Sequence, residues 1–325
     1  MRKPSQRIHL MGILAIALLV AACDGTAAGP ATLLTELTPA EADDLGTMFE
    51  DETDVSVGAL IYGGTMNSAD MSLGTLSMAP SGGPPRPDIH CVIIEPFPPE
   101  DPDQDGVPTR LSVHFDPEPC VIHGDREAAF FFTGALGISD PFPETPGYDS
   151  DEGYEAFGHG IEFASGRSFM TVRTGTRSVR QEGNTLGATE SFHSVHLVNG
   201  IREKSSEVEW GLRFTADEPI VFGSPVPSGS LIIEGVWAVS SDRGDRLFNV
   251  STVTPLQYDA NCLDVRPIHR FTAGEVHKVL IVNGHERGTI IVTWVGCGQR
   301  PVKEFVPAGD GDRPTDHPND GPVDG

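Results

Sequence analysis

From residue 89 onward, apolar and polar positions alternate. Leu111, Val113 and Phe115 keep a two-residue period, as do Val208, Trp210, Leu212 and Phe214, and then Leu231, Ile233 and Trp237. Successive side chains of a strand point to opposite faces, so this period predicts strands with one face buried. The same reading gives strands over 89–95, 109–116, 127–136, 157–165, 168–179, 186–198, 245–255, 274–282 and 288–296. Turn-forming residues stand between them: Gly183 with Asn184, Asn199 with Gly200, Asp242 to Asp245, and Asn283 with Gly284. Consecutive hairpins predict a mainly β chain, an antiparallel meander forming a curved sheet, a sandwich or a partly closed barrel. The chain is poor in the aromatic residues that girdle membrane-spanning barrels, which argues against that class.

A helical period appears near the start. Thr38 suits an N-cap, Pro39 the first helical position, and Glu41 the third residue of a capping box. Ala42, Leu45, Met48 and Phe49 then form one apolar stripe, which predicts a short helix over 39–50 covering a face or edge of the sheet. Residues 55–80 begin as a strand-like run and lose their pattern, and Ser81 to Asp88 (SGGPPRPD) break the chain. Residues 38–88 therefore read as a helix with an irregular segment, 89–306 as the β domain, and 307–325 as a disordered acidic tail.

The first 22 residues read as a signal peptide. Arg2, Lys3 and Arg7 form a positive start, and Ile8 to Ala22 an apolar core too short for a comfortable membrane span. Val20, Ala21, Ala22 and Cys23 resemble the lipobox of bacterial lipoproteins. The resemblance implies diacylglycerol on Cys23, cleavage before it, and a lipidated tether over 23–37. Asp24 resembles the inner-membrane retention signal of enteric-type bacteria, while the choice of inner or outer membrane stays open. Removing Arg2, Lys3 and Arg7 lowers the basic side chains from 22 to 19 against 47 acidic ones, so the net charge moves from −25 to −28. Such a field repels nucleic acid and anionic headgroups alike. The membrane partner is then reached through the lipid, and any other partner is a protein or a small-molecule ligand.

An extracytoplasmic location changes the reading of the cysteines. With Cys23 lipidated, Cys91, Cys120, Cys262 and Cys297 form an even set in an oxidising compartment, which predicts two disulfides. Three pairings are open. Cys91 and Cys120 lie almost symmetrically about a predicted hairpin that would set them face to face, leaving Cys262 for Cys297.

Within that hairpin, Asp101, Asp103 and Asp105 precede Gly106, alternating carboxylates before a tight turn as in calcium-wrapping loops. The segment DPDQDGVP resembles the Asp-rich calcium loops of thrombospondin type 3 repeats over about eight residues. Thr109 and Ser112 stand at the ninth and twelfth loop positions, so the usual bidentate carboxylate is missing, with Glu100 or Asp116 as substitutes. Calcium is accordingly the one candidate cofactor.

No catalytic set emerges. His193 and His196 are three apart on a strand and face opposite ways, and His159 with Glu162 has the same odd spacing. Asp151 and Glu152 read as a solvated acidic loop, and HExxH, GxSxG and GxxxxGK[ST] are all absent. The expected function is a membrane-anchored cell-envelope lipoprotein whose β domain is a non-enzymatic binding or structural module. The alternatives are a half-barrel carrier or chaperone of lipids or lipoproteins, by analogy of fold alone, and an envelope hydrolase with dispersed catalytic residues.

Overall fold

The computed structural model describes residues 37–63 and 91–308, apart from 106, 117, 124–127, 142–144, 152–156, 222–225 and 264–265. The expected signal peptide at residues 1–22, Cys23, Asp24, the expected break at 81–88 and the residues after 308 lie outside the described residues.

Helix α1, Pro39–Gly63, opens with the expected capping box. The Thr38 backbone N–H donates to Glu41 Oε2 at 3.0 Å, and the Glu41 N–H donates to Thr38 Oγ1 at 3.3 Å. The helix does not stop near residue 50, however, and the strand-like run from 55 is helical. β-Branched residues lower helix propensity by only a few tenths of a kcal/mol. Burial of Val57, Leu60 and Ile61, which continue the face begun by Phe49, outweighs that cost.

Seven shorter strands come first: β1 (Val92–Glu95), β2 (Arg110–Phe115), β3 (Cys120–His123), β4 (Ala128–Thr133), β5 (Ala135–Ser139), β6 (Gly147–Asp151) and β7 (Phe157–Phe163). Longer strands follow in β8 (Ser168–Glu182), β9 (Thr185–Val198), β10 (Ile201–Ala216), β11 (Gly229–Ser241), β12 (Gly244–Tyr258), β13 (Phe271–Val282) and β14 (His285–Trp294). The short β15, Val302–Pro307, ends the series. All fifteen belong to one antiparallel sheet.

From β8 to β15 the sheet is the predicted meander, with the anticipated turns between strands. The N-terminal half departs from a meander. β8 is long enough to pair with β7 along its first half and β6 along its second, and the sheet forks there. One branch runs β6, β5, β2, β1 and the other β7, β4, β3. The predicted strand 127–136 is split at Gly134, whose φ of 92° turns the chain, so that β4 and β5 join different branches. The sheet stays open, with β1 and β15 at the ends of its main path.

Both expected disulfides are present. Cys262 and Cys297, with Cα atoms 5.8 Å apart, tie the connection after β12 to that after β14. Cys91 and Cys120 are 5.5 Å apart, but they are not opposed within one hairpin. Asp116 stands beside Cys91, donating its N–H to the Cys91 carbonyl at 3.0 Å, whereas Cys120 opens β3 on the other branch. The bond therefore clasps the two arms of the fork, next to stacked Phe115 and Phe132. Closing loops of about 30 residues is worth roughly 3–4 kcal/mol each by chain-entropy reasoning.

One face of the long strands is lined by Trp210, Phe214, Trp237, Phe248, Val276 and Val292, all buried, and α1 lies against it. Gly175 and Gly235 let the sheet bend over the helix. Their φ values of 152° and 155° favour glycine, and a Cβ on Gly235 would stand 2.5 Å from the Trp210 Cα across the ladder.

Candidate functional site

The sequence of α1 contains seven carboxylates (Glu41, Asp43, Asp44, Glu50, Asp51, Glu52, Asp54) and no lysine or arginine. At 100° per residue, the buried residues from Phe49 to Ile61 cover an arc of roughly 200°, leaving Asp51, Val55, Gly58 and Ala59 toward the open side. Phe49, Thr53, Val57 and Leu60 form the centre of that arc. Glu50 and Asp54 lie on one flank, and Glu52 and Ser56 on the other. The sheet closes on both.

On the first flank, Glu50 accepts from His269 at 3.1 Å and lies 3.1 Å from Lys303 Nζ of β15. Asp54 accepts the Ile268 backbone N–H at 2.8 Å and lies 3.0 Å from Arg266 Nε, whose other end reaches Asp51 at 2.9 Å. On the second flank, Glu52 accepts from Arg173 of β8 at 2.7 Å and from Ser206 of β10 at 2.6 Å. Ser56 donates to Glu190 of β9, which also accepts from Arg177 at 2.5 Å and Trp210 at 2.8 Å. Nearer the start of the helix, Asp44 pairs with Lys204 at 2.5 Å, and Glu41 with Arg246 at 3.2 Å and Arg243 at 3.4 Å.

These contacts set the electrostatics. Burial alone would raise the Glu52 carboxyl, but Arg173, assisted by His196 and Ser206, pulls it down to about 2. Glu190 is equally buried and is also held below the carboxylate range, chiefly by Arg177 and Arg173. Lys278 of β13 is the exception on the concave face. It is fully buried, its Nζ lies 4.4 Å from the Phe49 ring centroid and 5.5 Å from that of Trp237, and burial pushes its amine well below the usual lysine range.

The pattern of the strands carries a signal for this network. Arg173, Arg177, Glu190 and Lys278 are charged residues standing in the apolar phase of their strands. A charge at an inward position needs a partner. Six of the seven helix carboxylates are those partners or meet the cations at the rims.

The Asp-rich loop joins β1 to β2. Carboxylate oxygens of Asp101, Asp103 and Asp105 lie within 4.8 Å of one another. Asp105 accepts the Val107 N–H at 2.8 Å, and Thr109 N–H donates to the Glu100 carbonyl at 2.8 Å, closing the loop. Of the two suggested substitutes for the missing ligand, Asp116 is excluded by register. It lies beside Cys91, at the far end of the β1–β2 ladder from the loop. The carboxylate brought near instead is Asp140, at the end of β5, whose N–H bonds the Thr109 carbonyl at 3.2 Å. Partial desolvation and a hydrogen bond shared with Asp101 raise the Asp103 carboxyl, and the charges of Asp101 and Asp140 add to the rise. Asp105 is also raised, by desolvation and by the charges of Asp103, Asp140 and Asp101, against the opposing hydrogen bond from the Val107 N–H. The loop thus gathers three carboxylates within 4.8 Å, with the charge of Asp140 beside them.

The histidines separate as their spacing implied. His193 points to the outer face, 3.6 Å from Glu207, while His196 bonds Thr171 at 3.3 Å and lies 3.8 Å from Glu52 on the inner face. The Ser206 hydroxyl donates its hydrogen bond to Glu52, and His196 lies beside the same carboxylate, so the three side chains hold the helix. The side chains of His159, Asp151 and Glu152 lie outside the described residues.

Comparison with protein-family models, with curated proteins and with solved structures finds no match in any of the three.

A carboxyl whose folded pKa is depressed stabilises the fold above its unfolded value of about 4.5, and that stability is lost as pH falls through about 2. Glu52 contributes roughly 3 kcal/mol this way. Glu52→Gln leaves Arg173 buried without its counter-charge and is expected to cost about 3–5 kcal/mol at pH 7, in urea unfolding, with wild type and variant converging toward pH 2. The Asp loop has the opposite sign, because its raised carboxyls repel. In chelator, Asp103→Asn is expected to melt at a higher temperature than wild type. Millimolar Ca²⁺ supplies the second arm: a melting shift in wild type that the variant lacks assigns a cation to the loop, and equal melts discard it.

Proposed function

We propose that the chain is a bacterial cell-envelope lipoprotein, anchored through Cys23, whose folded part is a non-enzymatic binding or structural β domain. The observation that carries this reading is the distribution of the five cysteines. Four are consumed in two disulfides with ordinary Cα separations of 5.5 and 5.8 Å, suited to an oxidising compartment. The odd one is the cysteine that ends the lipobox-like run Val20–Cys23. Among the described residues no helix is long and apolar enough to cross a membrane, so attachment in this scheme falls to the lipid.

The non-enzymatic reading rests on the same interior that holds α1. Apart from Lys278, whose amine lies over the Phe49 and Trp237 rings, its buried charged groups pair with one another or with the helix, and Phe49 packs against Trp210 and Trp237 beneath the helix, each pair 5.8 Å between ring centroids. A carrier of lipids needs an apolar cavity there, and with α1 docked the aromatic rings occupy that place.

The expected result of metabolic labelling with a radioactive fatty acid is incorporation into the wild-type chain, which stays with membranes after a high-salt wash. Cys23→Ala should be unlabelled and released from them. A wild-type chain that takes up no label contradicts the anchor.

A further inference from the structure

We infer that α1 is an exchangeable ligand of the concave face: the face of one molecule accepts α1 of a second copy, giving a reciprocal dimer in which each sheet holds its neighbour's helix. Three observations converge on this partner. The first is chemical fit. The concave face, with the turn at its rim that carries Arg266, gathers Arg173, Lys204, Arg246, Arg266 and Lys303, five of only 22 basic side chains in a chain of net charge −25. The segment shown to meet them is α1, with seven carboxylates, and every copy of the chain carries one.

The second is the way α1 is attached. Among the described contacts it joins the sheet through side chains, aside from a bond from the Tyr148 hydroxyl to the Ala59 carbonyl. Undocking therefore breaks no strand ladder. The contacts are directional and spread over both flanks, so a helix arriving from another molecule must seat in the same register to satisfy them.

The third is the length of chain between helix and sheet. Residues 64–90 separate Gly63 from Cys91, 27 residues that could extend to about 90 Å. The helix itself is about 37 Å long at 1.5 Å per residue. Swapping reproduces every α1–sheet contact, so the intramolecular form is favoured only by the effective concentration of the tethered helix, which falls as the connection lengthens. A connector of this length lowers that advantage, and two reciprocal exchanges share one cost of association. The inference does not depend on Cys23 being lipidated, although confinement to a membrane would raise the swapped fraction.

Asp44 and Lys204 form a 2.5 Å ion pair between helix and sheet, which a zero-length carbodiimide can join without any mutation. Full-length chains grown in ¹⁴N and ¹⁵N media are mixed across a range of concentrations, left to equilibrate, cross-linked and digested. Mass spectrometry should then find Asp44–Lys204 peptide pairs of mixed isotope, rising with concentration toward half of all such pairs. Same-isotope pairs alone at every concentration would overturn the inference. So would mixed links that avoid Asp44–Lys204, which would mean association through another face.

Discussion

The architecture depends on one constraint: a strongly acidic helix must be held inside a sheet, and its buried charges are tolerable only if the sheet meets them. Glu52 with Arg173 and Glu50 with His269 and Lys303 do this from opposite flanks. Buried ion pairs add little net stability over apolar packing, since desolvation offsets most of the attraction. What they provide is register. Phe49, Val57 and Leu60 could slide along an apolar surface, but a shift of one residue would strand several carboxylates away from their cations.

The same constraint accounts for the shape of the sheet. Arg173 of β8 and Lys303 of β15 both reach α1, although they lie at distant places in the strand order, so the intervening strands must bend around the helix. Glycines opposite bulky aromatic residues permit the bend at Gly175 and Gly235. The two disulfides act elsewhere, one across the fork at β8 and the other beside the 3₁₀ turn Pro267–Arg270 that supplies His269.

Much of the meander was legible because a two-residue period and a turn dipeptide are local signals. Gly183–Asn184, Asn199–Gly200 and Asn283–Gly284 each sit between paired strands. The fork was not legible, because nothing local tells β8 that its two halves pair with different strands. The length of α1 was missed because Val55, Ser56 and Val57 have weak helix propensity, which the burial of Ser56, Val57, Leu60 and Ile61 against the sheet outweighs. The charged network could have been suspected from Glu190 and Lys278 in apolar-phase positions, but their partners are set by tertiary structure. At the Asp loop, the three aspartates come together as their spacing suggested, while Asp140 arrives by sheet pairing from another strand.

Helix α1 is an integral, charge-gripped part of the folded domain. Amide hydrogen exchange tests it most directly. At neutral pH the amides of residues 49–61 should be protected to a degree comparable with β10 to β13, whether the helix is docked in its own sheet or in a neighbour's. Exchange of those amides at the rate of unstructured peptide, while the sheet remains protected, would contradict the account.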